Sequence, residues 1–230
     1  TYGDWSSDVC SSDLDPRRTL FRVASNSKMF VWTAVMQLVE RGQLDLHADI
    51  NTYLRGVQIP KAFDEPITLE HLMTHTAGFE DRMLGLFSQT PGAVRPLPEL
   101  LRETPRRLYR PGSVTAYSNY GSALAALVVA DVSGVPFSDY LDQRILRLLG
   151  MKRTTLAQPI PANLGADLAR PYRWTGGAFL EQPFEFVPWA PAAALSSTAE
   201  DMARFMIAHL NEGELEGDRK STRLNSSHRT

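Results

Sequence analysis

A serine and a lysine three positions apart stand at the start of an apolar helix. They are Ser25 and Lys28 in the stretch TLFRVASNSKMF, and the segment MFVWTAVM that follows Lys28 has no polar face. Positions i and i+3 lie on one side of a helix, so the Ser25 hydroxyl and the Lys28 amine can meet. Burial favours the neutral amine, which can accept the serine proton. The pair could therefore supply a nucleophile and its base, with the free N–H groups of the helix N-terminus stabilising negative charge.

A second motif supports the interpretation of Ser25 and Lys28 as a reactive pair. A serine in the first turn of a helix is most often only an N-cap, and S-x-x-K occurs roughly once by chance in a chain of this length. Downstream, the stretch RPGSVTAYSNYG contains Tyr117 and Asn119. A phenol and an amine can together pass a proton without histidine if each balances the charge of the other. Without Ser25 and Lys28, Asn119 would be interpreted only as a helix N-cap.

These motifs resemble those of a known enzyme family. S-x-x-K is a motif of penicillin-binding proteins and β-lactamases. The Tyr-Ser-Asn form is similar to the class C β-lactamase branch, the D-alanyl-D-alanine carboxypeptidases and the β-lactamase-fold esterases. Other stretches resemble family blocks in family order between residues 19 and 213, including RGQLDLHADINTYL, ITLEHLMTHTAGF, LLGMKRTTL and LSSTAEDMARFM. The resemblance implies an α+β fold, here a mostly α-helical fragment that lacks most strands of the central antiparallel sheet.

The resemblance also implies a role for each site residue. Ser25 would be the acylated nucleophile, and Lys28 its proton acceptor or hydrogen-bond partner. Tyr117 would pass a proton to the leaving group and later help to activate water, while Asn119 would orient Lys28 and the substrate. The third family motif, K-T-G or H-x-G, does not occur in the sequence. We therefore expect an incomplete site, and an inactive chain as it stands.

Both ends of the chain are predicted to be foreign to the folded part. The stretches DWSSDVCSSDL (4–14) and DRKSTRLNSSH (218–228) are rich in serine and charge and show no hydrophobic period. If the second is back-translated, the reverse complement of one choice of codons encodes the first in a shifted frame. This nucleotide string resembles a sequencing-library adapter. We expect 1–14 and 218–230 to be adapter-derived and 15–217 to be a partial native domain.

Helix predominates in the predicted secondary structure. The periodicity and end signals predict helices from about residue 26 to 41, after Pro66, from Ser118 or Asn119 to Gly134, and over PFSDYLDQRILRLLGM. Another helix is predicted behind a capping box of Ser197 and Glu200. The first of these helices is expected to be buried on every side. Thr175-Gly176-Gly177, between two runs that carry aromatic residues, predicts a β-hairpin.

Composition excludes several function classes. The 230 residues include 43% hydrophobic and 22% charged residues with a net charge of −2, so neither disorder nor nucleic-acid binding is indicated. No apolar run reaches the roughly 20 residues that span a bilayer. His47, His71 and His209 lack the spacing and companions of a metal site, and no cofactor is expected. His75 in THTAG is interpreted as part of a structural turn rather than as a catalytic group.

The sequence therefore predicts a serine hydrolase that acts through an acyl-enzyme on an ester, amide or peptide. Its expected partner is a small-molecule or peptide substrate, whereas the oligomeric state is left open. Two alternatives stay open: a catalytically silent relative that binds peptide or cell-wall fragments, and an inactive truncated fragment. The resemblance suggests a periplasmic, secreted or cell-surface location.

Overall fold

The structure, a computed structural model, describes residues 14–82 and 85–214. The predicted foreign ends lie outside these residues, except for Leu14. The α-helices of the described part are α1 (Ser27–Glu40), α2 (Leu69–Met73), α3 (Leu97–Leu100), α4 (Asn119–Ser133), α5 (Phe137–Leu141), α6 (Ala162–Gly165), α7 (Ala190–Ala193) and α8 (Ala199–Leu210). The strands β1 (Phe21–Arg22) and β4 (Ser196–Ser197) form one antiparallel pair, and β2 (Tyr172–Trp174) and β3 (Phe179–Glu181) form another.

Two long apolar helices, α1 and α4, form the centre of the core. They pack against each other, and α7 packs against both. Ten successive residues of α4, from Tyr120 to Val129, are buried, and alanine at three of these positions leaves room for neighbouring elements. Because α4 is buried on nearly all sides, its first residues are held rigidly. This matters because Asn119 is the first residue of α4.

The ends of α1 and α4 agree closely with the sequence prediction. The N-cap of α4 is Ser118, whose side chain accepts a hydrogen bond from the Gly121 N–H, and its C-cap is Gly134 with φ of 76°. The α1 helix begins one residue later and ends one residue earlier than predicted. A turn of 3₁₀-helix, Ala24–Asn26, precedes it and contains Ser25.

Two helix predictions need correction. The N-cap of α8 is Thr198, which accepts from the Asp201 N–H, and not Ser197. Ser197 is unavailable as a cap because it pairs with Phe21 in the sheet formed by β1 and β4. The predicted helix over PFSDYLDQRILRLLGM is interrupted, since α5 continues as a π-helix over Asp142–Leu146. The wider π turn alters the face that the later residues present to the core.

The prediction that the first helix is buried on every side is wrong. Met29, Trp32 and Met36 lie on one face of α1, and 38% of Met29 is exposed. With the side chains of α8, this face borders a groove of about 430 Å³ lined by Met29, Trp32, Thr33, Met36, Phe205, Met206, His209 and Leu210. The opposite side of α1 is buried as expected, for instance at Phe30 and Val31. The apolar residues of α1 therefore form both the buried side of the helix, in the core, and the side that lines the groove beside α8.

The predicted hairpin is confirmed, because Thr175 to Ala178 connect β2 to β3 and the Thr175 N–H donates to the Ala178 carbonyl. Within the described ranges, no single helix combines the length and apolar character needed to cross a membrane. The α4 helix and the segment Phe137–Leu146 pass such a test only together, and they are bent by 80° relative to each other.

Replacement of Gly78 by alanine should destabilise the fold more than the same change at Gly134. Both glycines have left-handed φ values, 80° and 76°, so alanine costs about 1–2 kcal/mol at either position. At Gly78 the added Cβ would also collide with the Tyr109 carbonyl group, whereas no heavy atom lies within 4 Å at Gly134. Urea unfolding should show a further loss of about 1–3 kcal/mol for Gly78→Ala. Equal losses in the two variants would contradict this packing.

Candidate active site

Ser25 is presented to solvent by a strained turn between β1 and α1. The preceding residue, Ala24, has φ of 47°, in a region that costs a non-glycine residue free energy. The buried Ser27 side chain holds this turn, since its hydroxyl donates to the Ala24 carbonyl at 2.6 Å and accepts from the Leu195 N–H at 3.1 Å. The Ser25 side chain thereby lies at the surface, while Ser27 and Lys28, which follow it, are buried.

Lys28 lies beneath Ser25 and is only 4% exposed. Its Nζ donates to Ser25 Oγ at 3.2 Å, to Asn119 Oδ1 at 2.8 Å and to the Ala192 carbonyl oxygen at 2.8 Å. An ammonium group carries three N–H donors, and these three acceptors come from three different chain segments. A neutral amine would also fit, because it could donate to Asn119 and Ala192 while its lone pair accepts the Ser25 hydroxyl proton.

Burial lowers the pKa of Lys28 from its ordinary value. The desolvation of the ammonium is the largest cause, and Tyr117 and Asp81 act in the opposite direction. A lowered pKa increases the fraction of neutral amine at a given pH, which is the form that can take a proton from serine. The site therefore favours a proton acceptor next to the Ser25 hydroxyl.

The phenol of Tyr117 completes the group on the solvent side. Its hydroxyl lies 2.7 Å from Ser25 Oγ, and its ring centroid lies 4.8 Å from Lys28 Nζ. Tyr117 is 43% exposed, so an incoming molecule can reach both hydroxyl groups. Asn119, two residues further on, is buried at the start of α4. All four residues singled out from the sequence are thus brought together in one hydrogen-bonded group.

Three contributors to this arrangement are not among the four predicted site residues. The Ala192 carbonyl oxygen accepts from Lys28, and Ser27 anchors the turn that carries Ser25. His75, which the sequence predicts to be part of a structural turn, packs against Tyr117 with 4.5 Å between the ring centroids. The run APAAAL around Ala192 is the one signal that could have been used, since small residues allow a backbone to approach closely.

His47, His71 and His209 lie apart from this group. His71 caps α2, since its Nδ1 accepts from the Thr68 N–H. His47 lies 3.2 Å from Glu70, and the ring of His209 packs on Phe205 at 4.2 Å. Among residues 14–82 and 85–214, no group of three or more His, Cys, Asp and Glu side chains could hold a metal ion.

Comparison with known proteins gives consistent matches. The model of the beta-lactamase family matches residues 11–230 of the chain. The D-alanyl-D-alanine-carboxypeptidase/endopeptidase AmpH of Escherichia coli K12 is 32% identical over 141 residues. These residues make up 60% of this chain and 37% of AmpH, so the chain spans well under half the length of this curated relative.

Solved structures share the fold at low sequence identity. The D-amino acid amidase of Ochrobactrum anthropi matches with a TM-score of 0.73 and 26% identity over 93% of this chain and 61% of the amidase. The penicillin-binding protein homologue of Pyrococcus abyssi matches with a TM-score of 0.70 and 26% identity, over 86% of this chain and 46% of that one. The predicted α+β fold class, mostly helical with few strands of a sheet, is therefore confirmed.

Substitution of Asn119 by aspartate should raise the pKa of Lys28. The amide oxygen lies 2.8 Å from Lys28 Nζ, and a carboxylate in its place would stabilise the ammonium form. We expect the Cε resonance of Lys28, followed by NMR with ¹³C-labelled lysine, to titrate at a higher pH than in the original chain. Asn163→Asp, at an exposed position in α6, should leave the titration unchanged. An unchanged midpoint in Asn119→Asp would show that the amide does not control the amine.

Proposed function

The chain belongs to the beta-lactamase family of serine hydrolases, and on that basis we propose that it acts through an acyl-enzyme formed on Ser25. The observation that carries the proposal is the hydrogen-bonded sequence from Tyr117 through Ser25 and Lys28 to Asn119. It joins an exposed hydroxyl nucleophile to a buried amine of lowered pKa on one side and to a phenol on the other.

Acylation would begin with attack of Ser25 Oγ on the substrate carbonyl carbon. The hydroxyl proton passes to the neutral amine of Lys28, and the carbonyl oxygen becomes an oxyanion. The Ser25 backbone N–H is a candidate donor to that oxyanion. Collapse of the tetrahedral intermediate breaks the bond to the leaving group, which takes a proton delivered by Tyr117. The Lys28 ammonium then reprotonates the Tyr117 phenolate directly, because the acylated Ser25 oxygen has no proton to relay and the two side chains interact with each other.

Deacylation would reverse the direction of proton transfer. Tyr117 lies at the exposed side of the site, where it can pass its own proton to the neutral amine of Lys28 while it accepts one from a water molecule that attacks the acyl carbonyl. Cleavage of the ester bond to Ser25 releases the acid, and Lys28 returns the proton to the serine oxygen. Asn119 would keep Lys28 in place through both steps, because its amide is held at the buried start of α4.

The substrate class that we propose is an ester, an amide or a peptide. Two relatives named above, a carboxypeptidase/endopeptidase and an amidase, act by name on amide bonds. One fold can serve several substrates because specificity depends on the loops around the cleft. We further propose that the whole protein acts in the periplasm, at the cell surface or outside the cell, in keeping with relatives named for D-alanyl-D-alanine cleavage and penicillin binding.

The third family motif, K-T-G or H-x-G, is part of the proposal although the sequence does not contain it. The chain covers 37% of AmpH and 61% of the amidase, and neither K-T-G nor H-x-G occurs in it. We propose that the whole protein supplies this motif, and that the chain by itself can be acylated at Ser25 but turns over substrate slowly or not at all. The four residues already assembled would supply the nucleophile and its proton-transfer groups, whereas fast acylation and fast turnover both also need a complete oxyanion hole.

A fluorophosphonate probe should label the chain at Ser25. Labelling should be lost in Ser25→Ala and should fall by about 10²–10⁴-fold in Lys28→Met, which removes the base. Ser138→Ala removes an exposed serine of α5 and should label like the original chain. In-gel fluorescence, with mass spectrometry of the modified peptide, gives the readout.

Two results would sink this proposal. Undiminished labelling of Ser25→Ala would place the nucleophile elsewhere, and a chain that takes up no probe although it unfolds cooperatively would show that the four residues do not suffice for acylation. Thermal unfolding of each variant is the control that separates a chemical defect from misfolding.

A further inference from the structure

His75 contacts the segment that carries Tyr117 through both its imidazole and its backbone carbonyl group. The His75 Nδ1 accepts a hydrogen bond from the Ser118 N–H at 3.2 Å. The His75 carbonyl oxygen accepts from the Ala116 N–H at 2.7 Å, and the two aromatic rings lie 4.5 Å apart between them. Both backbone neighbours of Tyr117 are therefore bonded to this single residue.

The backbone of His75 is itself in an unusual conformation. Its φ of 58° lies in the left-handed region, which costs free energy for a residue other than glycine. In this conformation both the carbonyl oxygen and the ring reach the Tyr117 segment. The ring centroid of Trp32, in α1, lies 6.2 Å from that of His75 in an edge arrangement. The imidazole therefore lies close both to α1 and to the segment that carries Tyr117.

We propose that His75 is a positioning residue that keeps the Tyr117 hydroxyl against Ser25, and that it does so only while its imidazole is neutral. The reason lies in the hydrogen bond from Ser118. A neutral imidazole can accept at Nδ1, whereas a protonated imidazole carries a hydrogen on both nitrogens and can only donate. Protonation would therefore place a hydrogen on Nδ1 opposite the Ser118 N–H, which is also a donor. The hydrogen bond between Ser118 and His75 would then be lost. This inference rests on the role proposed above for Tyr117.

The surroundings of His75 favour the neutral form. The charged group that faces it from α1 is Lys28, and the titratable group that faces it from the segment before α4 is Tyr117. Burial is the largest cause that lowers the pKa of His75 from 6.5, and the positive charge of Lys28 lowers it further. The contact to Ser118 therefore persists at neutral pH and is lost as the pH falls through the lowered pKa. Activity would therefore fall at acidic pH, because the Tyr117 hydroxyl would no longer be held against Ser25.

Two substitutions separate the acceptor from the ring. His75→Asn keeps an acceptor near the place of Nδ1, does not titrate, and suits a left-handed φ. His75→Phe keeps an aromatic ring against Tyr117 but has no acceptor for Ser118. His71→Asn is the matched control, since His71 also accepts a backbone N–H through Nδ1 and has a pKa lowered by burial, but it caps α2.

The experiment measures two quantities against pH in the 230-residue chain and each variant. One is the rate of Ser25 labelling by a fluorophosphonate, and the other is the amide proton shift of Ser118 in NMR spectra. In the original chain and in His71→Asn, both should change with the midpoint of the His75 imidazole resonance. His75→Asn should lose that transition and label within about threefold of the original rate at neutral pH. His75→Phe should label about 10–100-fold more slowly, because small displacements of a reacting group are costly.

Opposite results would overturn the inference. An acid transition that persists at the same midpoint in His75→Asn would mean that another group controls the site, and a His75→Phe variant that labels at the original rate would show that the acceptor is unimportant. The Ser118 shift tests the contact without any catalysis, so it decides the inference even if Ser25 proves not to be the nucleophile. If His75→Phe does not fold, the pH dependence in His75→Asn decides it alone.

Discussion

The buried amine of Lys28 is the interaction on which the rest of the site depends. An ammonium group removed from water is costly unless its donors are satisfied, and here Ser25, Asn119 and Ala192 supply the acceptors. These acceptors belong to the turn before α1, to the first residue of α4 and to α7. The hydrogen bonds that the Lys28 amine makes therefore connect three separate parts of the chain. The same burial lowers the pKa of the amine and so prepares it to accept a proton.

The scaffold meets this requirement with small residues and rigid ends. The Ala192 carbonyl can reach Lys28 because α7 is a short run of alanine and proline that packs on α1 and α4. Ser27 connects the turn that carries Ser25 to the Leu195 backbone, one residue before β4 begins. The strain at Ala24 is thus opposed by contacts in the core, which is the usual way in which a fold maintains an unfavourable backbone conformation. Ser25 is exposed, whereas Ser27, Lys28 and Asn119, which support it, are buried.

This division also accounts for how similar folds accommodate different reactions. The amidase and the penicillin-binding protein homologue share the fold with this chain at 26% identity. Neither the packing of the helices nor the burial of Lys28 determines which residues surround the site. Those residues can therefore differ between proteins of one fold that act on different substrates. The α1 helix also shows a limit of composition as a guide to burial. Met29 and Trp32 are apolar but lie on a partly exposed face of α1, so apolar character alone does not identify the face that packs against the core.

From the sequence alone, the family, the mostly helical α+β fold and the ends of α1 and α4 could be predicted, because these follow from local periodicity, capping residues and recognisable motifs. The choice of Ser25, Lys28, Tyr117 and Asn119 as candidates also came from motifs, although their roles remain proposals. The N-cap at Thr198 and the π turn after α5 could not be predicted, since strand pairing and core packing decide between neighbouring residues of similar propensity. The contacts of Lys28 with Ala192 and of His75 with the Tyr117 segment join residues far apart in the chain, and one of them uses a backbone oxygen that every residue possesses. Only the tertiary structure could decide them, because a sequence specifies side-chain types but not which distant backbone groups will lie within hydrogen-bond distance.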